Sequence, residues 1–317
     1  MTGFRTAERR KAHLRLGIAG PSGSGKTASA LLVAYGLCGD WSKIGLVDTE
    51  NGSGELYVGA TIGSTKIGDY QVLTLTAPYE PQKYIQAIRD AEQAGLEVVI
   101  VDSLSHAWAG EGGLLDQHGK IADRGGNSFT AWRQVTPLHN QLVEAMLQAG
   151  IHIIATLRSK TEYVVQADEK GKSTPKKIGL APVQREGMEY EFTVFLDLDQ
   201  KHVAFASKDR TNLLDGRYFT PTVETGLTLK AWLEQGTGGN VEAVKADLPL
   251  AADADAPVSS EQIEALVKLA KERGLANRTV SNIIHDRYGK HSSLSLTAVE
   301  AEDLRQHMLT LSAKEAS

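Results

Sequence analysis

The octapeptide GPSGSGKT at residues 20–27 constrains this chain more than any other stretch. It fits G-x-x-x-x-G-K-[ST], a phosphate-binding loop. Gly20, Pro21, Ser22, Gly23, Ser24 and Gly25 make the turn, and its glycines let backbone N–H groups approach clustered phosphate oxygens with no Cβ in the way. Lys26 is expected to reach the β- and γ-phosphates and the Thr27 hydroxyl to ligate Mg²⁺, with Ala28 continuing the cradle into a helix whose positive end favours anions. The flanks agree. HLRLGIAG before the loop predicts a buried strand, and ASALLVAYGL after it predicts an apolar helix.

With 317 residues the chain is long enough for one α/β core and a smaller module. Its formal charge of −5 gives no global basic signature, so any nucleic-acid contact has to come from a local patch. The single cysteine, Cys38, excludes an internal disulfide framework and a cysteine–histidine zinc site. No apolar run is long enough for a bilayer, and the charged start lacks the apolar segment of a signal peptide. Membrane partners are therefore not expected, and a cytoplasmic location is.

Residues 14–235 alternate strand-like and helix-like segments, which predicts a mostly parallel sheet flanked by helices. Strands are expected at 43–47, 71–75, 97–101, 151–157, 192–198 and 202–206, the last two as an antiparallel hairpin, and helices at 81–94 and 129–149. Residues 236–258 are small, acidic and glycine-rich at their start, the composition of a linker. Residues 259–317 carry three amphipathic patterns, two of them opened by the capping boxes Ser259-x-x-Gln262 and Thr297-x-x-Glu300. The organisation expected is thus a core over 1–235, a linker over 236–258 and a helical module over 259–317.

VVIVDS at 98–103 is an apolar strand ending in an acid. Ligands of open parallel sheets sit at the carboxyl ends of strands, so Asp102 falls where a carboxylate supports Mg²⁺. IGLVDTE at 44–50 ends in acids in the same way. Taken in order, GPSGSGKT, strand–DTE, VVIVDS, a long helix and HIIATLRSK resemble the ATPase core of RecA-type recombinases. The resemblance implies a RecA-like P-loop fold with ATP and Mg²⁺ as cofactors. It implies that Glu50 orients the attacking water, against the plainer reading of a surface loop acid. It also implies that the strand at 151–157 lies between the two nucleotide-binding strands and that its last polar residue, Thr156, senses the γ-phosphate. An amide is usual there; this chain has a shorter hydroxyl.

SKDRTN at 207–212 contains Lys208-x-Arg210, similar to the pair with which RecA-like and hexameric-helicase ATPases reach a neighbour's γ-phosphate. Such a trans arginine is worth roughly 10³–10⁵ in rate. A basic, solvated turn is the other reading. Residues 159–189 lack clear periodicity and are expected as a long loop. From Arg158 on, this stretch carries Lys160, Lys170, Lys172, Lys176, Lys177 and Arg185, with Tyr163 nearby, the composition of a surface that tracks single strands. A second, glycine-rich loop is expected over 105–128, with Lys120 and Arg124. Both stand where RecA-type proteins contact DNA; a solvated insertion is the alternative for each.

GLAPVQREGMEYEF together with SKDRTN looks most like a phage-encoded group of RecA-like ATPases that act as single-strand annealing proteins. That likeness implies a homo-oligomer, ring or filament, bound to single-stranded DNA inside a bacterial host cell. The helical module is similar to those trailing other phage recombination proteins, which implies contact with DNA, a single-strand-binding protein or another recombination protein; a role in stability is the alternative. Two rivals share the phosphate loop: a hexameric helicase-type motor or loader, and a small-molecule phosphotransferase.

Overall fold

The computed structural model describes residues 6–124, 127–167, 173–235, 258–273, 275, 277–288, 290, 292–297, 300–301, 304–305 and 308. The chain divides into two compact units, Met1–Leu248 and Pro249–Ser317. In the first, β1 (Arg15–Gly20) leads through the phosphate loop into α1 (Lys26–Cys38), and β2 (Ile44–Asp48) follows. A small excursion carries β3 (Thr61–Ile62) and β4 (Thr65–Lys66) before β5 (Gln71–Thr74), α2 (Pro81–Gln93) and β6 (Val98–Asp102). Then come α3 (Ser105–Ala109), α4 (Leu114–Asp123), α5 (Ser128–Gln148), β7 (His152–Ala167) and β8 (Ser173–Pro182). The unit closes with β9 (Val194–Leu198), β10 (Ala204–Asp209), β11 (Tyr218–Phe219) and α6 (Val223–Leu233).

The main sheet runs β11-β10-β9-β1-β7-β6-β2-β5, with β8 attached to β7. From β5 to β9 every pairing is parallel; β10 and β11 are antiparallel additions. β7 lies between β1 and β6, the place the resemblance implies for it. Both faces are covered, and this explains the continuous apolar runs. Val98 and Ile100 pack with α1 in one core, whereas Val99 and Val101 pack with α2 and α5 in the other.

Two local devices hold the layers together. Gly36 of α1 and Gly226 of α6 meet at the helix crossing, where a Cβ on Gly36 would stand 2.2 Å from the Val223 carbonyl oxygen. Arg15, buried at the start of β1, donates to the carbonyls of Ile151 at 2.8 Å, Leu147 at 3.0 Å and Ala149, so it caps the carboxyl end of α5 and ties that end to β1.

Three expectations are corrected. The stretch expected as a long loop over 159–189 is mainly a hairpin: β7 runs on to Ala167 and pairs antiparallel with β8, from Ser159 opposite Pro182 to Ala167 opposite Ser173. β6 leaves β7 at Ala155 and β1 leaves it at Arg158, so beyond that point, among the described residues, the strand paired with β7 is β8. A two-stranded ribbon outside the packed sheet has no core to impose alternation, and the sequence lacks the period accordingly. Residues 105–128 are likewise no simple loop, since they form α3, α4 and the start of α5, whose cap Asn127 accepts from the Thr130 N–H at 2.8 Å. The strand expected over 192–198 begins only at Val194.

The second unit holds α7 (Ser260–Glu272) and α8 (Asn277–Tyr288). Both capping boxes close: Ser259 and Gln262 exchange bonds at 3.0 and 3.2 Å, Thr297 and Glu300 at 2.7 and 3.3 Å. Of the third amphipathic stretch, Ala301, Leu304 and Met308 are helical and buried against Leu266 and Ile284. Residues 236–257, most of the expected linker, lie outside the described residues. Among the described residues no helix is long and apolar enough to cross a membrane.

Candidate nucleotide site

The sheet's carboxyl edge gathers the site. Gly23 and Gly25 adopt φ of 78° and 84°, the left-handed region that glycine enters freely, and this turn aims the N-terminus of α1 back over β1. Lys26 Nζ donates to the carbonyls of Gly20 at 3.0 Å and Pro21 at 2.8 Å, so its ammonium group sits over the loop. Burial lowers its pKa, against the opposing pull of Asp102 and Glu50. The Thr27 hydroxyl donates to Asp102 Oδ2 at 2.6 Å. Ser22 and Gly23 are exposed at the loop's tip.

Asp102 is buried at the end of β6, directly across from Asp48 at the end of β2. Its other oxygen accepts from the Thr156 hydroxyl at 2.5 Å. Burial raises its pKa, and the Thr156 and Thr27 hydroxyls work the other way. Thr156 is fully buried, so the structure places it beneath the site, gripping Asp102, and not at a surface where it could meet a phosphate itself. A β-hydroxyl is too short to extend past that carboxylate.

Glu50 sits two residues beyond β2, its N–H held by Asp48 Oδ1 at 2.6 Å. Its carboxylate takes a two-pronged grip from Arg158, Nε to Oε1 at 2.9 Å and Nη2 to Oε2. Burial works to raise the Glu50 pKa, and the Arg158 guanidinium outweighs it, holding the group below the usual carboxylate range. Arg158, expected on the polymer-facing stretch, is thus placed in the nucleotide site. This is a correction with a simple cause: Arg158 closes the part of β7 that still pairs with β1, and the ribbon begins one residue later.

Residues 12–224 match the model of the AAA domain family. The chain belongs to that family. It is a P-loop ATPase of AAA type, which agrees with the coarse content of the resemblance. A KaiC-like protein from the hyperthermophilic archaeon Pyrococcus horikoshii OT3 shows a distant structural likeness, at a TM-score of 0.36 and 14% identity over 62% of this chain and 80% of that one. No curated protein matches the chain.

The residues of this AAA domain fit a magnesium nucleotide. Among the described residues, the Ser24 hydroxyl and Asp48 Oδ2 are buried with no protein partner, beside a loop whose glycines leave its backbone open. The donor set is right for a hard cation: one hydroxyl, Thr27, bonded to one carboxylate, Asp102. Lys26 and the loop N–H groups would hold phosphate oxygens, and a bound divalent cation would neutralise charge on them. The Glu50 carboxylate stands at the same carboxyl edge of the sheet, held by Arg158.

Lys208 and Arg210 do not join this site. β10 is antiparallel to β9, so Lys208 stands opposite Phe195 and the Arg210 N–H meets the Thr193 carbonyl, toward the edge of the sheet away from the phosphate loop. Asp209 shapes their turn by accepting from the N–H groups of Thr211 and Leu214, each at 2.7 Å. Both cations lean on the Tyr190 carbonyl, Arg210 from 3.3 Å.

The basic residues on the expected DNA surfaces divide. Lys160 is exposed at the foot of the ribbon, and Lys176 and Lys177 belong to β8, paired with Val164 and Tyr163. Arg185 lies over the Trp132 ring at 5.8 Å. Lys120 is tied to Asp116 at 2.7 Å, and Arg124 ends α4. Lys170 and Lys172 lie outside the described residues.

Sequence reasoning missed Asp48, Thr49 and His106 as parts of the site. Thr49 accepts from the Ser103 N–H at 2.8 Å and meets His106 Nδ1 at 2.7 Å, while His106 stacks on Tyr79. The only signal available was that both strands end in acids; their register was not legible.

Proposed function

We propose that this ATPase binds single-stranded DNA under control of Mg-ATP and promotes strand annealing or homologous recombination, as a phage-encoded protein acting in a bacterial cytoplasm. One observation carries the reading. β7 runs unbroken from Thr156 and Arg158, which grip Asp102 and Glu50, into the ribbon that bears Lys160 and pairs with Lys176 and Lys177. A polymer held on the ribbon would act on the same strand that holds both acids. Further support comes from an aromatic tier in which His118 stacks on Trp132 at 4.2 Å, Trp108 stacks on the same Trp132 at 5.8 Å, and Arg185 lies over it. Aromatic faces and cations together suit unpaired bases.

In this reading Lys208 and Arg210 complete a neighbouring protomer's site, since their edge of the sheet lies away from their own, and the working species is a ring or filament. The helical module over 259–317 contacts DNA or a recombination partner.

The test is ATP turnover and oligonucleotide binding across a salt series. Turnover is expected to rise with single-stranded DNA, and log affinity to fall with log salt at about −0.7 per phosphate contact. Lys176→Glu with Lys177→Glu should weaken DNA binding and leave nucleotide binding intact. No response to DNA would favour the phosphotransferase, and directional unwinding the helicase-type motor.

A further inference from the structure

The stretches GLAPVQREGMEYEF and SKDRTN, apart in the sequence, meet on one cavity of about 410 Å³. It opens over β9, on the face of the sheet away from α1. Leu196 and Leu198 pack in the core that holds α1, so Phe195 and Asp197, one residue out of step, face the other way. Phe195 is buried and floors the cavity, with Asp197 half-buried beside it. β10 contributes Ser207. Leu196 stands opposite Ala206 and Phe195 opposite Lys208, so Ser207 is the extra residue of a β-bulge, an irregularity that re-aims a side chain. Pro182 at the end of β8 and Gln184 also line the space, and Gln184 Oε1 accepts from the Arg185 N–H at 2.9 Å. Lys160 and Glu186 are exposed at the rim. Arg185 joins the cavity to the aromatic tier, since its guanidinium lies over Trp132.

We infer that this cavity takes one unstacked base of single-stranded DNA and selects guanine, with Asp197 accepting from its N1–H and 2-amino groups. The inference rests on the single-strand reading above and adds what a phosphate-tracking surface cannot supply, a choice of base. The size lies within the ~300–1,000 Å³ typical of small-molecule sites. Asp197, Glu186 and Glu189 outnumber Lys160 and Arg185 in the lining, so a phosphate is disfavoured inside it and a neutral ring with outward donors is not. Burial pushes the Asp197 carboxyl up; the Ser207 hydroxyl opposes this and Glu189 adds to it, so a pair of donors would relieve a carboxylate short of water. Guanine alone among the DNA bases sets two donors side by side on its Watson–Crick edge. Adenine and cytosine offer one amino group beside a bare ring nitrogen, and thymine one N–H between two carbonyls. Gln184 Nε2 donates to the Leu104 carbonyl at 3.4 Å and keeps a second N–H that can serve guanine O6. Lys160 and Arg185 are left for the flanking phosphates.

Equilibrium binding of the full chain, with Mg-ATP, to three labelled oligonucleotides of one length tests this. The first is all thymidine. The second carries isolated guanines, spaced so that they cannot associate with one another. The third carries deoxyinosine at the same places, which keeps N1–H and lacks the 2-amino group. Guanine is expected to tighten binding about tenfold over thymine, and deoxyinosine to forfeit most of that gain. Asp197→Asn keeps the shape and loses the paired acceptor; Ser207→Trp, at an exposed position on the bulge, fills the space. Each should erase the guanine preference and leave affinity for the thymidine oligomer unchanged. Equal binding of the first two oligomers by the unaltered chain, the full gain kept with deoxyinosine, or a preference that survives in either folded variant would overturn the assignment. Binding of none of the three would instead overturn the single-strand reading, and the base site goes with it.

Discussion

At the scale of single residues, the Glu50–Arg158 pair gives a test of the base role proposed for Glu50. Arg158 holds the Glu50 carboxyl low, so replacing it lets the pKa of Glu50 rise. A general base works only when ionised, and the acid limb of the pH–rate profile of Arg158→Ala should therefore move to higher pH. An unmoved limb would show that Glu50 is not the titrating base. A second residue speaks to stability. His152 Nδ1 accepts the Leu14 N–H at 2.9 Å, and burial, then the charges on His13 and Arg15, depress its pKa to about 4. The unfolded chain takes up a proton near pH 6.5 and the folded one only near 4, so stability is full above pH 6.5 and lost as pH falls through that window. Allowing for partial exposure, the loss between pH 7 and 5 should be about 1–2 kcal/mol in urea titrations. His152→Gln keeps an acceptor for Leu14 and should flatten that loss.

Among elements, α1 and α6 pack against each other at close range. Their crossing depends on two glycines, and a Cβ on Gly226 would lie 2.3 Å from the Val33 carbonyl oxygen. The obstacle is backbone and cannot swing aside. Gly36→Ala should lower stability by roughly 1–3 kcal/mol, read from the denaturation midpoint, and should disturb the segment from Thr220 to Thr222 that α6 anchors. The β7–β8 ribbon is held differently. Among the described residues, β7 past Arg158 pairs with β8 and with no strand of the main sheet.

For the molecule as a whole, the two ends of the sheet's strands carry different sets of charged groups. Glu50 and Lys26 stand at one end, Lys208 and Arg210 toward the other. If neighbours share sites, Arg210→Ala and Glu50→Gln chains should each hydrolyse poorly alone and recover activity when mixed, because a mixed interface restores one complete site. Absence of recovery in a turnover assay would place hydrolysis within one chain. The second unit has its own core around Leu266, Ile284, Leu304 and Met308. A chain ending at 258 is accordingly expected to keep a cooperative thermal transition; an insoluble product would count against two independently folding units.

The residue order by itself determined the phosphate loop, the buried strands and the acids that end two of them. Those signals are local: a glycine turn needs its own glycines, and a strand covered on both faces needs an apolar run. Tertiary structure decided what meets across the fold. Asp48 stands beside Asp102 only because β2 and β6 are in register, Arg158 reaches Glu50 only because β7 lies between β1 and β6, and Thr156 sinks below the surface as their neighbour. The cavity of about 470 Å³ beside the phosphate loop draws on α1, the β3–β4 hairpin, the β9–β10 turn and the entry to α6, segments far apart along the chain. Spacing in sequence does not carry such contacts, because they follow from how strands order themselves in the sheet.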